Sequence, residues 1–212
     1  MDDHSAQTRD LLQRAQRGEV QALHDLLAHY RDRLRRMVDL RLDRRLQGRV
    51  DASDVIQEGY LDVARRFEEY LRAPKLPFLL WLRLVVGERL LILHRRHLGT
   101  QMRDAGREVS LFQGALPAAT SAALAAHLLG RHTSPSHAAV RAERLLRVQE
   151  ALNSLDPLDR EILALRHFEE LTCAEAALAL DISEAAAAKR YIRALKRLKE
   201  VLTTVLKSPE DL

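Results

Sequence analysis

The stretch Leu171–Leu198, LTCAEAALALDISEAAAAKRYIRALKRL, constrains the fold more than any other part of the chain. Thr172 and Glu175 stand three apart as an S/T-x-x-E capping box, a pattern that satisfies the open backbone donors at a helix start. A first helix then runs to about Leu180, Asp181 and Ile182 make a turn, and Ser183 caps a second helix. Two short helices around a tight turn predict a helix-turn-helix, a module that lays its second helix in the DNA major groove.

Charge follows the same geometry. At roughly 100° per residue, Lys189, Arg190, Arg193, Lys196 and Arg197 fall within an arc of about 120°. Tyr191, Ala194, Leu195, Leu198 and Leu202 face the other way. One side packs and the other is free to meet phosphates. Cations near a helix C-terminus also complement the helix dipole. The cap, the turn and the small Ala185 and Ala186 near the basic face favour DNA over that plainer reading.

Aromatic residues make up only 4 % of the 212 residues. The Leu, Ala and Arg that replace them favour helices over a β-sandwich. Cys173 is the one cysteine, so no intrachain disulfide forms and a reducing, cytoplasmic setting is expected. The acidic, polar start MDDHSAQTRD is no signal peptide. The longest apolar run, Leu76–Val86, is broken by Pro77 and Arg83 and is too short to span a bilayer, so no membrane role is expected. Net charge is only +4, but residues 143–184 are acidic and 189–199 basic. Local patches on a mild total suit docking in a fixed orientation rather than general coating of nucleic acid.

Periodicity predicts helices over 6–17, from Val20 through Val38, from Asp51 to about Tyr70, and from Phe78 to about His97. The second carries an apolar stripe of Val20, Leu23, Leu26, Leu27, Tyr30, Leu34, Met37 and Val38. Gly59 is a weakness inside the third. The segment RAPKLP, 72–77, holds two prolines and must be a loop. Four helices with short connections make a bundle. From about Leu98 to Ser134 the pattern dissolves around Gly106, Gly114, Pro117 and Gly130, with room for a short helix at Ala122–Leu129. This reads as a flexible linker, too long for a loop within one compact domain. Ser134-Pro135 and Asp156-Pro157 then open two further helices, 135–154 and 157–169, each with a cap followed by proline. The expected fold is all-α: a four-helix domain over 1–97, a linker over 98–134, and a helix-turn-helix domain over 135–212. No fused sensor domain is expected after Leu212.

Two spaced signals give this order a meaning. Asp51-Ala-Ser-Asp54-Val55-Ile56-Gln57-Glu58 resembles the D-x-x-D-φ-φ-Q-E signature of region 2 in bacterial sigma factors. Leu155–Arg166, LDPLDREILALR, resembles the start of sigma region 4, and LTCAEAALALDIS its helix-turn-helix. Together they resemble the two-domain extracytoplasmic-function (ECF) subgroup of the sigma-70 family, over about residues 6–97 and 137–205. The resemblance implies a sigma factor that binds core RNA polymerase, through the β′ clamp coiled coil and the β subunit, and directs promoter recognition, melting and initiation. It places Asp54, Gln57, Glu58 and Leu61 on the polymerase, residues whose spacing puts them on one helix side. It places Arg72 and Lys75 of the proline-stiffened loop, and Arg83, Arg89, His94, Arg95 and Arg96 of the next helix, at the −10 element. Thr172, Ser183, Glu184, Ala186, Lys189, Arg190, Arg193 and Arg197 fall to the −35 element. An anti-sigma factor is a further partner such proteins often have.

Two departures from the family pattern stand out: Asp181 occupies a turn position usually held by glycine, and Gly59 follows the Q-E pair where a helix former is usual. Phe78 and Trp81 read as core rather than base-stacking residues, given Leu79, Leu80 and Leu82 around them. His94 with His97, and His127, His132 and His137, lack the convergent donors a metal needs, so no metal or other cofactor is expected. No nucleophile–base pair or nucleotide loop points to an enzyme. A rival reading is a helix-turn-helix regulator that acts on an operator without polymerase; another is a helical adaptor whose basic faces only aid solubility.

Overall fold

A computed structural model describes residues 2–46, 48–98, 116–130 and 138–206. Every regular element among them is helical. The helices are α1 (Asp2–Gln16), α2 (Val20–Arg41), α3 (Ala52–Arg72), α4 (Phe78–Leu98), α5 (Ser121–Leu128), α6 (Ala138–Asn153), α7 (Pro157–Leu163), α8 (Cys173–Leu180) and α9 (Glu184–Leu206). No helix among the described residues is long and apolar enough to cross a membrane. The chain divides into two compact units, Met1–Val38 with Leu42–Glu108, and Asp39–Arg41 with Val109–Leu212.

In the first unit the buried residues are Ala22, Leu26, Leu34, Met37 and Val38 of α2, Val55, Ile56 and Val63 of α3, and Leu82, Val86 and Leu90 of α4, and α3 packs against α4. The stripe of α2 begins at Ala22. Val20, at the first position of the helix, is 75 % exposed. Tyr30, Phe67, Tyr70, Phe78 and Trp81 form one aromatic cluster, with Tyr70 stacked on Trp81 at 4.5 Å and Phe67 edge-on to Phe78 at 6.1 Å. Phe78 is buried and Trp81 half-buried, so both belong to the packing of this unit.

Gly59 has a steric reason to be where it is. A Cβ at this position would lie 2.9 Å from Val86 Cγ2 and 3.3 Å from Val86 Cα. The missing side chain lets α3 and α4 approach closely, a packing gain that the helix-propensity argument alone does not see.

The second unit starts before the expected boundary at residue 135. Helix α5 belongs to it and packs against α6. Ala119, Leu124 and Ala125 are buried, Thr120 caps α5 by accepting the Ala123 N–H at 3.2 Å, and Arg160 donates to Ser121 Oγ at 3.2 Å. The Ala- and Ser-rich composition that reads as a linker is here small-residue packing. Asp156 caps α7 as expected, accepting the Leu158 N–H at 2.9 Å, with Pro157 at the first turn. The helix does not run uniformly to 169. It stops at Leu163 and widens into a π-helical turn, Ala164–Phe168. The helix start expected at Ser134-Pro135, the tract 99–115, and His132 and His137 lie outside the described residues.

Replacing Gly59 by alanine pits a gain of about 1 kcal/mol in helix propensity against an overpacking cost of about 1–3 kcal/mol. Since Val86 is β-branched and stiff, crowding wins. Gly59→Ala is expected to lower the urea midpoint, and adding Val86→Ala, which removes the Cγ2 contact, to recover part of the loss.

Candidate polymerase and DNA interfaces

Helix α3 begins with a reciprocal cap. Asp51 Oδ1 accepts the Ser53 N–H at 2.9 Å, and Asp54 Oδ2 accepts the Asp51 N–H at 3.4 Å. That backbone hydrogen bond from Ser53 holds the Asp51 carboxyl below its ordinary range. Asp54 therefore acts as a cap while its side chain stays exposed. Gln57, Glu58 and Leu61 are exposed on the following turns, Leu61 by 61 %. All four expected residues line one open hollow of about 590 Å³. Helix α4 supplies its other wall with Arg89, Ile92, Leu93, Arg96 and His97. The α4 contribution was not legible from the 51–58 motif. Ile92 is 42 % exposed, an apolar residue at the surface beside Leu61.

The cations expected to meet the −10 element are not alike. Arg72 is exposed and paired with Glu68 at 3.2 Å, and Lys75 is exposed in the loop. The loop is pinned from inside, because the Tyr70 hydroxyl donates to the Leu76 carbonyl at 3.0 Å. Arg95 and Arg96 are exposed. Arg83 and His94 are buried. Arg89 Nε donates to Asp62 at 2.9 Å, and its Nη1 lies 3.6 Å from Glu58. Helical pitch explains the split: positions 83, 90 and 94 share the inward side of α4 with Val86. His94 Nε2 accepts the Asp43 N–H at 3.3 Å, and burial pushes its pKa down.

In the second unit the helix-turn-helix forms as the residues dictate. Thr172 Oγ1 accepts the Glu175 N–H at 3.1 Å, and Glu175 accepts the Thr172 N–H at 2.8 Å. Thr172 thus spends its side chain on the cap. Asp181 ends α8 in the left-handed region, φ 53°, the conformation for which glycine is the default and Asp a tolerated substitute. Ser183 Oγ accepts the Ala186 N–H at 3.2 Å and opens α9. Ala187, Ala194 and Leu198 are buried. Ser183, Glu184, Lys189, Lys196 and Arg197 are exposed, and Ala186 is partly exposed. The apolar side is narrower than the wheel predicts, for Leu195 is partly open and Ile192 lies exposed beside the cations. Arg166 lies against α9, its guanidinium 5.3 Å from the Tyr191 ring centroid.

Two of the expected DNA-facing arginines are already engaged. Asp159, on α7, is buried with 1 % side-chain exposure. Its carboxylate accepts from Arg193 Nε at 2.7 Å and Nη2 at 2.6 Å, and from Arg190 Nη1 at 3.0 Å. The Arg193 hydrogen bonds, opposed by burial and aided by Arg190, hold the Asp159 carboxyl below its ordinary range. Sequence reasoning assigns this aspartate only to the LDPLDREI run. Its partners lie 31 and 34 residues away, where no local spacing reveals them.

Residues 145–198 match the family Sigma-70, region 4. The matched segment runs from within α6 through α7 and α8 to Leu198 of α9. The fold as a whole is similar to that in the structure of CnrH in complex with the cytosolic domain of CnrY, with TM-score 0.53 and 21 % identity, covering 93 % of this chain and 98 % of that one. A second similar structure is the sigma factor RpoE in complex with the anti-sigma factor NepR from Bartonella quintana, with TM-score 0.44, 15 % identity and coverage of 90 % and 98 %. No curated protein matches the sequence.

Two outcomes follow from these sites. Because burial lowers the His94 pKa, the native state resists a proton that the unfolded chain accepts near pH 6.5. The stability this contributes is present above about pH 6.5 and is lost as pH falls from there toward the folded value. The drop in urea midpoint between pH 7.5 and pH 5.5, conditions on the two sides of about 6.5, should be smaller in His94→Gln than in the parent. At the turn, Asp181→Gly should keep or raise the thermal midpoint, whereas Asp181→Val, β-branched at positive φ, should lower it.

Proposed function

We propose that this chain is a sigma factor of the ECF kind, which binds core RNA polymerase and directs promoter recognition, melting and the start of transcription. The observation that carries the reading is a region 4 helix-turn-helix, residues 145–198, whose second helix exposes Lys189, Lys196 and Arg197. The domain division at about 97 and 135 belongs to the proposal, amended so that α5 travels with the second unit.

In this reading the α3–α4 hollow receives the β′ clamp coiled coil. Glu58 and Gln57 offer acceptors to a basic helix, while Leu61 and Ile92 give the apolar centre that such an interface needs. Arg72, Lys75, Arg95 and Arg96 are the cations placed to meet the −10 strand. Arg83 and His94, being buried, act as structural supports. An anti-sigma partner for this chain is likewise proposed; CnrH and RpoE were each solved with a protein partner, which supports it.

The test is run-off transcription with purified core polymerase on candidate promoters, alongside co-purification with core. Specific transcripts that depend on the chain support the reading. Recognition of a duplex with no binding to core overturns it in favour of an operator-binding regulator. Gln57→Ala with Glu58→Ala is expected to weaken core binding by about tenfold or more, the usual size for truncating central contacts. Lys189→Ala with Arg197→Ala should leave core binding intact and reduce the log–log salt slope of DNA binding by about 2.

A further inference from the structure

We propose that Asp159 is a positioning residue for the DNA interface: it fixes Arg193 so that the free end of the guanidinium is presented to a guanine edge, rather than leaving it a mobile cation that seeks phosphates. The inference rests on the reading of α9 as the helix that faces DNA.

The geometry carries the argument. A guanidinium has five N–H donors in a rigid plane. Arg193 gives Nε and one Nη2 hydrogen to the two oxygens of Asp159, at 2.7 and 2.6 Å. This parallel fork locks the plane of the group. What remains is the Nη1–Nη2 end, and 55 % of the side chain is exposed to solvent. Two parallel N–H bonds from that end match guanine O6 and N7, the commonest specific contact in the major groove. Arg190 shares the same carboxylate at 3.0 Å and lies 3.5 Å from Asp156. Two guanidiniums thus face two carboxylates, and the cluster has little net charge. Lys189, Lys196 and Arg197 differ: each is exposed and makes no ion pair among the described residues. A division of labour follows. The three unpaired cations supply the salt-dependent grip on phosphates, and the buttressed Arg193 supplies base preference at one position.

The conventional alternative is that Asp159 only ties α7 to α9. The two roles separate in one experiment on the full chain, bound to core polymerase and free. Duplexes are selected from a random-sequence pool, and binding of a fluorescein-labelled mixed-sequence duplex is titrated by anisotropy over a series of NaCl concentrations. The parent is expected to enrich guanine at one position. Asp159→Asn, which cannot accept the fork, should lose that preference by about tenfold or more. It should also steepen the salt slope by about 1–2 as the freed guanidiniums reach phosphates. Arg193→Lys keeps the charge and loses the fork, so it should lose the guanine preference without a shallower slope; it serves if Asp159→Asn does not fold. Arg193→Gln should change the slope far less than Lys196→Gln, which should lower it by about 0.9. A guanine preference that survives in Arg193→Lys, or an Arg193→Gln slope change equal to that of Lys196→Gln, overturns the proposal while leaving α9 as the DNA helix. A parent that selects no duplex in either state overturns the reading of α9 and this inference with it.

Discussion

A carboxylate with 1 % exposure survives only if its oxygens are filled by donors. The second unit is organised around that requirement. Asp159 sits one turn after the Asp156-Pro157 start of α7, so its place is set by a local cap. Its donors come from the middle of α9, so the pair fixes which way the second helix of the helix-turn-helix is rotated. Ala187 and Ala194 are buried on α9, which packs against α7. The same contact decides which cations remain open to solvent. Stability and interface are therefore not independent layers here: one buried acid shapes both.

The first unit shows the converse economy. Its hollow is lined by α3 and α4, which approach closely where Gly59 meets Val86 without a side chain. Asp54 both ends the backbone problem at the start of α3 and stands on the rim of the hollow. Arg89 bridges toward Asp62 and Glu58 across the two helices, which keeps the acidic side chains in place on an exposed face. A surface used for docking gains from such order, because less side-chain freedom is lost when a partner arrives.

What was legible in the residues was whatever depends on short separations. Thr172 with Glu175, Asp156 before Pro157, the turn at Asp181 and the cap at Ser183 all involve neighbours within three positions, and each forms as the chemistry of those residues requires. The helical wheel of α9 gave the right buried core at Ala194 and Leu198 but not its true width. Contacts between distant segments were not legible: Gly59 on Val86, Arg193 on Asp159, and the wall that α4 gives to the hollow. Nor was the π-helical turn at Ala164–Phe168, for which the sequence carries no clear mark. Helix α5 was visible as a short helix, but its alanines and serines resemble a tether in composition. Only their burial beside α6 shows that they are core.

The aromatic cluster has a practical consequence. Trp81 is the sole tryptophan of the chain, and it is stacked on Tyr70 inside the first unit. Intrinsic emission excited at the indole band is thus a built-in reporter of that unit alone. It is blind to melting of the helix-turn-helix, and a mismatch between emission and ellipticity curves measures how far the two units unfold apart.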